Sequence, residues 1–174
     1  MKLLAVDTSG PVCGVAILTE DGIRHECAVM NHKTHSVNLL PMIDNAFQST
    51  GLTIQNMDRL AVVVGPGSFT GVRLGVSTVK GLAHGAGKPC VAVNALEAMA
   101  AGISGFSGVV CPIQDARAGQ VYGAAFSAGE NRPNRLMADT PMKVEDYVAE
   151  ISRFGDRFLF LGDGMPCLLY TSPS

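Results

Sequence analysis

Two short segments carry the residues that could bind a phosphate or a metal ion. The first is the turn Asp7-Thr8-Ser9 after an apolar stretch, and the second is the glycine-rich segment 65–73, Gly-Pro-Gly-Ser-Phe-Thr-Gly-Val-Arg. In a two-domain nucleotide-binding fold, an aspartate at a strand end can hold magnesium, and a glycine-rich turn before a helix can present N–H groups to a phosphate. The candidate cofactor contacts are therefore Asp7, Thr8, Ser9, Gly67, Ser68 and Thr70.

The glycine-rich segment differs from the known phosphate-binding loops. Its glycines at 65, 67 and 71 have one residue too many for a dinucleotide fingerprint, and no Gly-Lys-Ser/Thr follows for a Walker A loop. Pro66 also removes one N–H donor that a phosphate cradle would use. The pattern therefore favours a tight turn in which Ser68 or Thr70 caps the next helix.

Other patterns of catalytic or metal-binding residues are absent from the sequence. His32 and His35 lie close together, but no third ligand follows nearby, so we predict no metal site. The sequence has no G-x-S-x-G, no H-E-x-x-H and no set of kinase motifs. We therefore assign no catalytic residue and expect no cofactor bound by this chain alone.

Apolar periodicity in the first hundred residues predicts three strands followed by alternating helices and strands. Pro41 lies inside a helical pattern at 39–47, so that helix either starts near the proline or is kinked there. The run 59–64 is continuously apolar, as in a parallel strand that is covered on both faces. The predicted strands are 2–7, 13–18, about 24–30, 59–64 and 90–93, and the predicted helices are 39–47, 70–86 and 95–101.

The second half of the sequence repeats the plan of the first. Residues 109–115 form an apolar run ending in Asp115, as residues 3–7 end in Asp7. Further strands at 121–126, 135–142 and 157–161, with a helix at 144–154, continue this second unit.

A duplicated unit of three strands and a helix is the plan of the actin-like ATPase fold, which pairs two ribonuclease H-like domains. We therefore predict an α/β protein with a complete first ribonuclease H-like domain at 1–104 and a truncated second one at 105–164. The segment 165–174 fits no element of this pattern, and we expect it to be a non-native tail.

Composition restricts the class of protein. A chain of 174 residues with 47% hydrophobic residues can bury a substantial core, and a net charge of -2 gives no basic surface for direct nucleic-acid binding. Only four apolar residues precede Asp7, too few for a signal peptide or membrane span, so we expect a cytoplasmic protein without a membrane partner. The five cysteines include no C-x-x-C pair, and we expect buried thiols at Cys13, Cys27, Cys90 and Cys111.

The helix predicted at 70–86 has an unusual content of glycine. Each interior glycine costs about 1 kcal/mol relative to alanine, so close packing must offset several together. The helix could pack closely on its own sheet or on a partner subunit, and the sequence leaves both open. With the 39–47 helix, the candidate partner interface comprises His35, Leu39, Leu40, Ile43, Gly71, Val72, Gly75, Val76, Val79 and Leu82. Glutamate at Gly75 or Val76 is expected to abolish pairing while leaving the chain folded.

These segments resemble those of a known protein family. Leu4-Ala5-Val6-Asp7-Thr8-Ser9, the segment 65–73, and Asp115-Ala116-Arg117 followed by Val121-Tyr122 are similar to the bacterial tRNA threonylcarbamoyladenosine biosynthesis protein TsaB. The resemblance covers residues 1 to about 164. It implies an actin-like fold without catalysis of its own and a heterodimer, formed by the first two helices, with the transferase TsaD.

The resemblance also implies further partners and a non-catalytic role. TsaD carries a metal-binding histidine pair where this chain has Ala95 and Met99, neither of which can bind a hard metal ion. The implied partners are TsaD and the ATPase TsaE, with tRNA contacted only indirectly and ATP or ADP bound only at the level of the complex. A homodimer of the isolated chain is left open. The alternative is an actin-fold ATPase or kinase-like enzyme that uses Asp7 and the glycine-rich segment.

Overall fold

The computed structural model describes residues 1–30, 35–127, 129 and 132–169. The chain forms two compact units, the first ending at Val93 and the second beginning at Asn94. The elements of the first unit are β1 Leu3–Asp7, β2 Cys13–Thr19, β3 Gly22–Val29, α1 His35–Thr50, a 3-10 turn Ile54–Asn56, β4 Arg59–Val63, α2 Phe69–Ala86 and β5 Cys90–Val93. Those of the second are α3 Ala95–Ala101, β6 Val109–Arg117, β7 Gln120–Ser127, β8 Asn134–Lys143, α4 Val144–Ile151, a 3-10 turn Ser152–Phe154, β9 Phe158–Leu161 and α5 Met165–Leu169.

The sheets of the two units have the same strand arrangement. In the first sheet the order is β3-β2-β1-β4-β5, with β1 antiparallel to β2 and parallel to β4. In the second sheet the order is β8-β7-β6-β9, with β6 antiparallel to β7 and parallel to β9. The predicted duplication is confirmed, and the fold is the duplicated α/β, ribonuclease H-like plan of the actin-like ATPases. Within the described residues, the second sheet has four strands where the first has five.

The first core lies between the sheet and helices α1 and α2. Alternation along β1 places Leu4 and Val6 in this core, where they meet Ile17 of β2 and Leu60 of β4. Helix α1 contributes the buried residues Leu39, Met42, Ile43 and Ala46, spaced as one face of a helix. This periodicity is the one that predicted the helix from the sequence.

The second core is built around Tyr147 of α4. Its ring is fully buried, and its hydroxyl donates a hydrogen bond to the carbonyl oxygen of Ala124 at 2.8 Å. Gly123 leaves the space that this ring fills, because a Cβ there would overlap the ring. Burial raises the pKa of Tyr147, and it also raises the pKa of the neighbouring Cys111 thiol to about 11.

Three boundaries differ from the sequence predictions. Helix α1 begins at His35 and passes through Pro41, so it starts earlier than the 39–47 pattern suggests. The first unit ends at Val93 rather than at residue 104, because α3 packs on β6 and β7 of the second unit. The expected tail at 165–174 includes a short helix, α5, whose residues Met165 and Cys167 pack against the second core.

The described cysteines have no disulfide, but they differ in exposure. The predicted burial is confirmed for Cys13 and Cys111. Cys27 is half-buried, and Cys90 is exposed. The prediction of burial is wrong for Cys90 because the pattern of β5 places it and Ala92 outward. No helix in the described ranges is long and apolar enough to span a membrane.

We expect Cys90 to be the first thiol to react with Ellman's reagent in the native protein at pH 8. Exposure gives the reagent access, while burial raises the pKa of Cys13, Cys27 and Cys111 and so lowers their thiolate fraction. Cys90→Ser should remove the fast phase, and Cys111→Ser should leave it unchanged. A fast phase that survives Cys90→Ser would contradict the assigned exposure.

Candidate functional site

The fold brings the Asp7-Thr8-Ser9 turn and the glycine-rich segment together. β1 and β4 are parallel neighbours, so the loops that follow them meet at the same edge of the sheet. The N–H of Ser68 donates a hydrogen bond to the carbonyl oxygen of Ser9 at 2.7 Å, and the Thr8 hydroxyl donates to the carbonyl oxygen of Gly71 at 2.7 Å. These two bonds join the turn after β1 to the start of α2.

Each turn also holds itself in place. The Asp7 carboxylate oxygen Oδ1 accepts from the backbone N–H of Ser9 at 2.8 Å and from the Ser9 hydroxyl at 2.7 Å. Ser68 is the N-cap of α2, because its hydroxyl oxygen accepts from the N–H of Gly71 at 3.3 Å. The predicted cap is therefore confirmed at Ser68, while Thr70 is exposed within the first turn of the helix.

The glycines of α2 allow the helix to lie directly on the Thr8 backbone. A Cβ at Gly71 would overlap the carbonyl oxygen of Thr8, and one at Gly75 would overlap the Thr8 hydroxyl. Both glycines are buried, and Thr8 is fully buried beneath them. Of the two causes that the sequence leaves open, packing within its own unit explains Gly71 and Gly75.

Four of the candidate cofactor residues, Asp7, Thr8, Ser9 and Ser68, have polar groups bonded within the chain. Thr8 and Ser9 are buried, and the N–H groups of Ser68 and Gly71 are already bonded to oxygens of the same chain. Gly67 faces the carbonyl oxygen of Ser9, where a Cβ would overlap it. This arrangement does not form an open phosphate cradle. Cofactor contact by Asp7, Thr8, Ser9, Gly67, Ser68 and Thr70 stays a prediction.

A similar aspartate contact lies at the end of β6 in the second unit. The Oδ1 atom of Asp115 accepts from the N–H of Arg117 at 2.7 Å, as Asp7 accepts from Ser9. The Asp115 N–H donates to Oδ1 of Asp163 at 3.3 Å, and burial raises the pKa of Asp163. Among the described residues, no cluster of three or more His, Cys, Asp and Glu could hold a metal ion. His32 lies outside those residues.

Half of the predicted partner interface lies in the core of the first unit. Gly71 and Gly75 pack on Thr8. Leu39, Ile43 and Val79 have at most 4% of their surface exposed. Their burial leaves little surface for a partner, although Ile43 also borders an open groove, and the interface assignment of Leu39, Ile43, Gly71, Gly75 and Val79 stays a prediction. A Cβ at Gly75 would overlap the Thr8 hydroxyl, so we expect Gly75→Glu to disturb the packing of α2 as well as any pairing.

The remaining predicted interface residues differ in their accessibility. Leu40 has 55% of its surface exposed on the outer side of α1. Val72, Val76 and Leu82 are half-buried. The ring nitrogen Nε2 of His35 lies 2.9 Å from the carbonyl oxygen of Gly10, so His35 ties the start of α1 to the loop after β1.

An open apolar groove of about 700 Å³ lies between α1, α2 and the segment that joins α1 to β4. Its apolar lining includes three predicted residues, Leu40, Ile43 and Leu82, and three that the prediction missed, Phe47, Leu52 and Ile54. Asp44 and Gln48 form its polar side. Leu52 and Ile54, two apolar residues shortly after Gly51 and outside any predicted helix or strand, are the sequence feature that indicates this groove.

Comparison with known proteins places the chain in a family. Residues 25–168 match the family model described as TsaD, tRNA N6-adenosine threonylcarbamoyltransferase. The tRNA threonylcarbamoyladenosine biosynthesis protein TsaB of Bacillus subtilis is 35% identical over 162 residues, which cover 93% of this chain and 71% of that protein. The TsaB protein of Escherichia coli is 38% identical over 134 residues, which cover 75% of this chain and 57% of that protein.

Solved structures agree with this assignment. The structure of YeaZ from Pseudomonas aeruginosa superposes with a TM-score of 0.77 at 27% identity, covering 93% of this chain and 75% of that one. The chain thus spans between about half and three quarters of the length of these relatives. By sequence, by sheet topology and by structural likeness, the chain belongs to the TsaB family of tRNA threonylcarbamoyladenosine biosynthesis proteins.

Proposed function

We propose that this chain is a non-catalytic subunit in the synthesis of threonylcarbamoyladenosine on tRNA and that it pairs with a TsaD-type transferase. The observation that carries this proposal is the exposed apolar surface of α1 with the groove beside it. This surface lies on the helices of this chain through which the family resemblance implies contact with the partner.

The exposed residues of α1 support a protein partner. Val37 and Leu40 are spaced three apart on one helical face, and more than half of each side chain is exposed. Leu40 also lines the apolar groove, and an exposed apolar surface of this kind marks an interaction site in soluble proteins. The family model of the transferase matches 25–168, which includes α1 and α2. A paralogue that shares these helices can present a similar face in a pseudo-symmetric pair.

The chemistry of the chain supports a role without catalysis. Ala95 is buried in the second unit and Met99 is half-buried, at the positions where the resemblance places the transferase's metal-binding histidines. The turn at Asp7 uses its polar groups internally. We therefore assign ATP or ADP binding, and contact with a TsaE-type ATPase, to the assembled complex, and tRNA contact to the transferase.

Leu40→Asp is expected to weaken binding to the transferase subunit of the same genome by about 30-fold or more. A charge at the centre of an apolar contact loses the burial energy and adds a desolvation cost. The dissociation constant is measured by isothermal titration calorimetry, with circular dichroism to check that each variant is folded. The matched control is Val148→Asp, because Val148 is also an exposed apolar residue on a helix, but in the second unit.

Two results would contradict the proposal. Equal loss of binding in Leu40→Asp and Val148→Asp would show that the α1 surface is not the contact. ATP turnover by the isolated chain that disappears in Asp7→Ala would replace the scaffold role with that of an actin-fold ATPase.

A further inference from the structure

The solvent-facing side of α2 has a charge pattern that the proposed contact through α1 does not use. At 100° per residue, five of its exposed residues fall within an arc of about 80°. We call this set the α2 outer face, and it comprises Phe69, Arg73, Ser77, Lys80 and His84. Helix α2 contains no aspartate or glutamate, so the face carries only cationic, imidazole, hydroxyl and aromatic groups.

One pair on this face is already arranged for binding. The guanidinium carbon of Arg73 lies 3.9 Å from the centre of the Phe69 ring, and 69% of the Phe69 surface is exposed. Stacking restricts the rotamers of both side chains, so less conformational entropy remains to be lost when a partner binds. Within the described part of the chain Arg73 forms no ion pair, whereas the other stacked arginines at Arg135 and Arg157 also contact Asp139 and Ser107.

A stacked guanidinium without an ion pair suits an anion that offers two oxygens side by side. Its N–H groups lie in a fork that matches a carboxylate or a phosphate in a bidentate arrangement. A carboxylate is favoured over nucleic acid here, because two cations along one helix neutralise few phosphates and the chain has a net charge of -2. The exposed phenyl ring beside the guanidinium also suits an apolar side chain next to the acid.

We infer that Arg73, stacked on Phe69, selects the partner by pairing with an aspartate or glutamate on an acidic, apolar-flanked helix of the transferase. This inference rests on the proposed function and specifies its partner chemistry. Lys80 lies about 10 Å further along the helix axis and meets a second acidic residue about two turns along the partner helix. The α2 outer face thus supplies charge selection, while the groove beside α1 supplies apolar area.

The test compares Arg73→Glu, Arg73→Lys and Phe69→Ala with wild type for binding to the same transferase. Arg73→Glu should raise the dissociation constant about 30-fold, Phe69→Ala about tenfold, and Arg73→Lys less than Arg73→Glu because it keeps the charge but loses the planar fork. The affinity of wild type should fall with added salt more steeply than that of Arg73→Glu. Arg24→Glu is the control, since Arg24 is an exposed arginine on β3 and the change in net charge is the same.

The outcomes separate this inference from the proposed function. Wild type that fails to bind the transferase would overturn both. Wild type and Arg73→Glu that bind equally well would overturn only the role of Arg73. Binding of tRNA by wild type that disappears in Arg73→Glu, with the transferase affinity unchanged, would overturn the carboxylate partner in favour of a nucleic-acid phosphate. A charge swap would support the pairing directly: binding of Arg73→Glu should be restored by a transferase in which the paired acidic residue is changed to arginine.

Discussion

Gly71→Ala is expected to lower the free energy of unfolding by about 3 kcal/mol, the upper end of the usual cost of overpacking. The added methyl group would overlap the carbonyl oxygen of Thr8, which is backbone and cannot rotate away. Relief requires α2 to move off the turn, and that movement would break the bond from the Thr8 hydroxyl to the Gly71 carbonyl. Urea unfolding followed by circular dichroism measures the change.

Gly81→Ala provides the matched control on the same helix. Gly81 is exposed and no atom lies within 4 Å of a Cβ built there, so alanine should stabilise the helix by about 1 kcal/mol. A loss of stability in Gly71→Ala and a gain in Gly81→Ala would show that only Gly71 is required by close packing. A Gly71→Ala variant as stable as wild type would contradict the close packing of α2 on Thr8.

Tyr147→Ala should destabilise the protein by about 4 kcal/mol, as expected when a large buried aromatic side chain is removed from a core. The ring is fully buried in the second core, and its hydroxyl supplies the hydrogen bond to the Ala124 carbonyl. The substitution leaves a cavity beside Gly123 and removes that donor. The midpoint and slope of the urea transition give the change in free energy.

Val148→Ala is the control for Tyr147, because it is the next residue of α4 and has 40% of its surface exposed. Its effect should stay within about 0.5 kcal/mol. Tyr147→Phe should fall between the two, since it keeps the ring and loses only the buried hydrogen bond, worth about 1 kcal/mol. Equal stability of Tyr147→Ala and Val148→Ala would mean that α4 does not pack on the sheet through Tyr147.

The fold could be predicted from the sequence because its strands and helices have clear apolar periods. The alternation in β1 and β2, the continuous apolar run of β4 and the repeat at 109–115 are local patterns, and each gives its element nearly in place. The pattern does not give the start of α1, because His35 to Asn38 carry few apolar residues and because a proline at position 41 is compatible with a helix start close to it.

The partner surface was harder to predict because it depends on which side of α2 meets the sheet. Gly71, Gly75 and Val79 form a small-residue stripe that suits either a partner helix or the chain's own backbone. The contact with Thr8 decides between these, and Thr8 lies more than sixty residues away in sequence. Phe69 and Arg73 were overlooked for the same reason, since their stacking depends on α2 turning that face to solvent.

The six candidate cofactor residues, in the turn after β1 and in the glycine-rich segment, also depend on a contact between distant parts of the chain. Their types were correctly recognised as polar groups at the end of a strand and at a helix start. Whether such groups face a ligand or one another depends on the distance between two loops, and here Ser68 lies within 2.7 Å of Ser9. This bond closes the space in which a phosphate could bind and connects the loop after β1 to the start of α2.

Size-exclusion chromatography with light scattering, on this chain mixed with the transferase of the same genome, shows whether the two form one complex. We expect a single peak whose mass equals one copy of each subunit, and Leu40→Asp should split that peak into its two components. A folded, monodisperse chain that elutes apart from the transferase at micromolar concentration would contradict the assignment as its partner subunit.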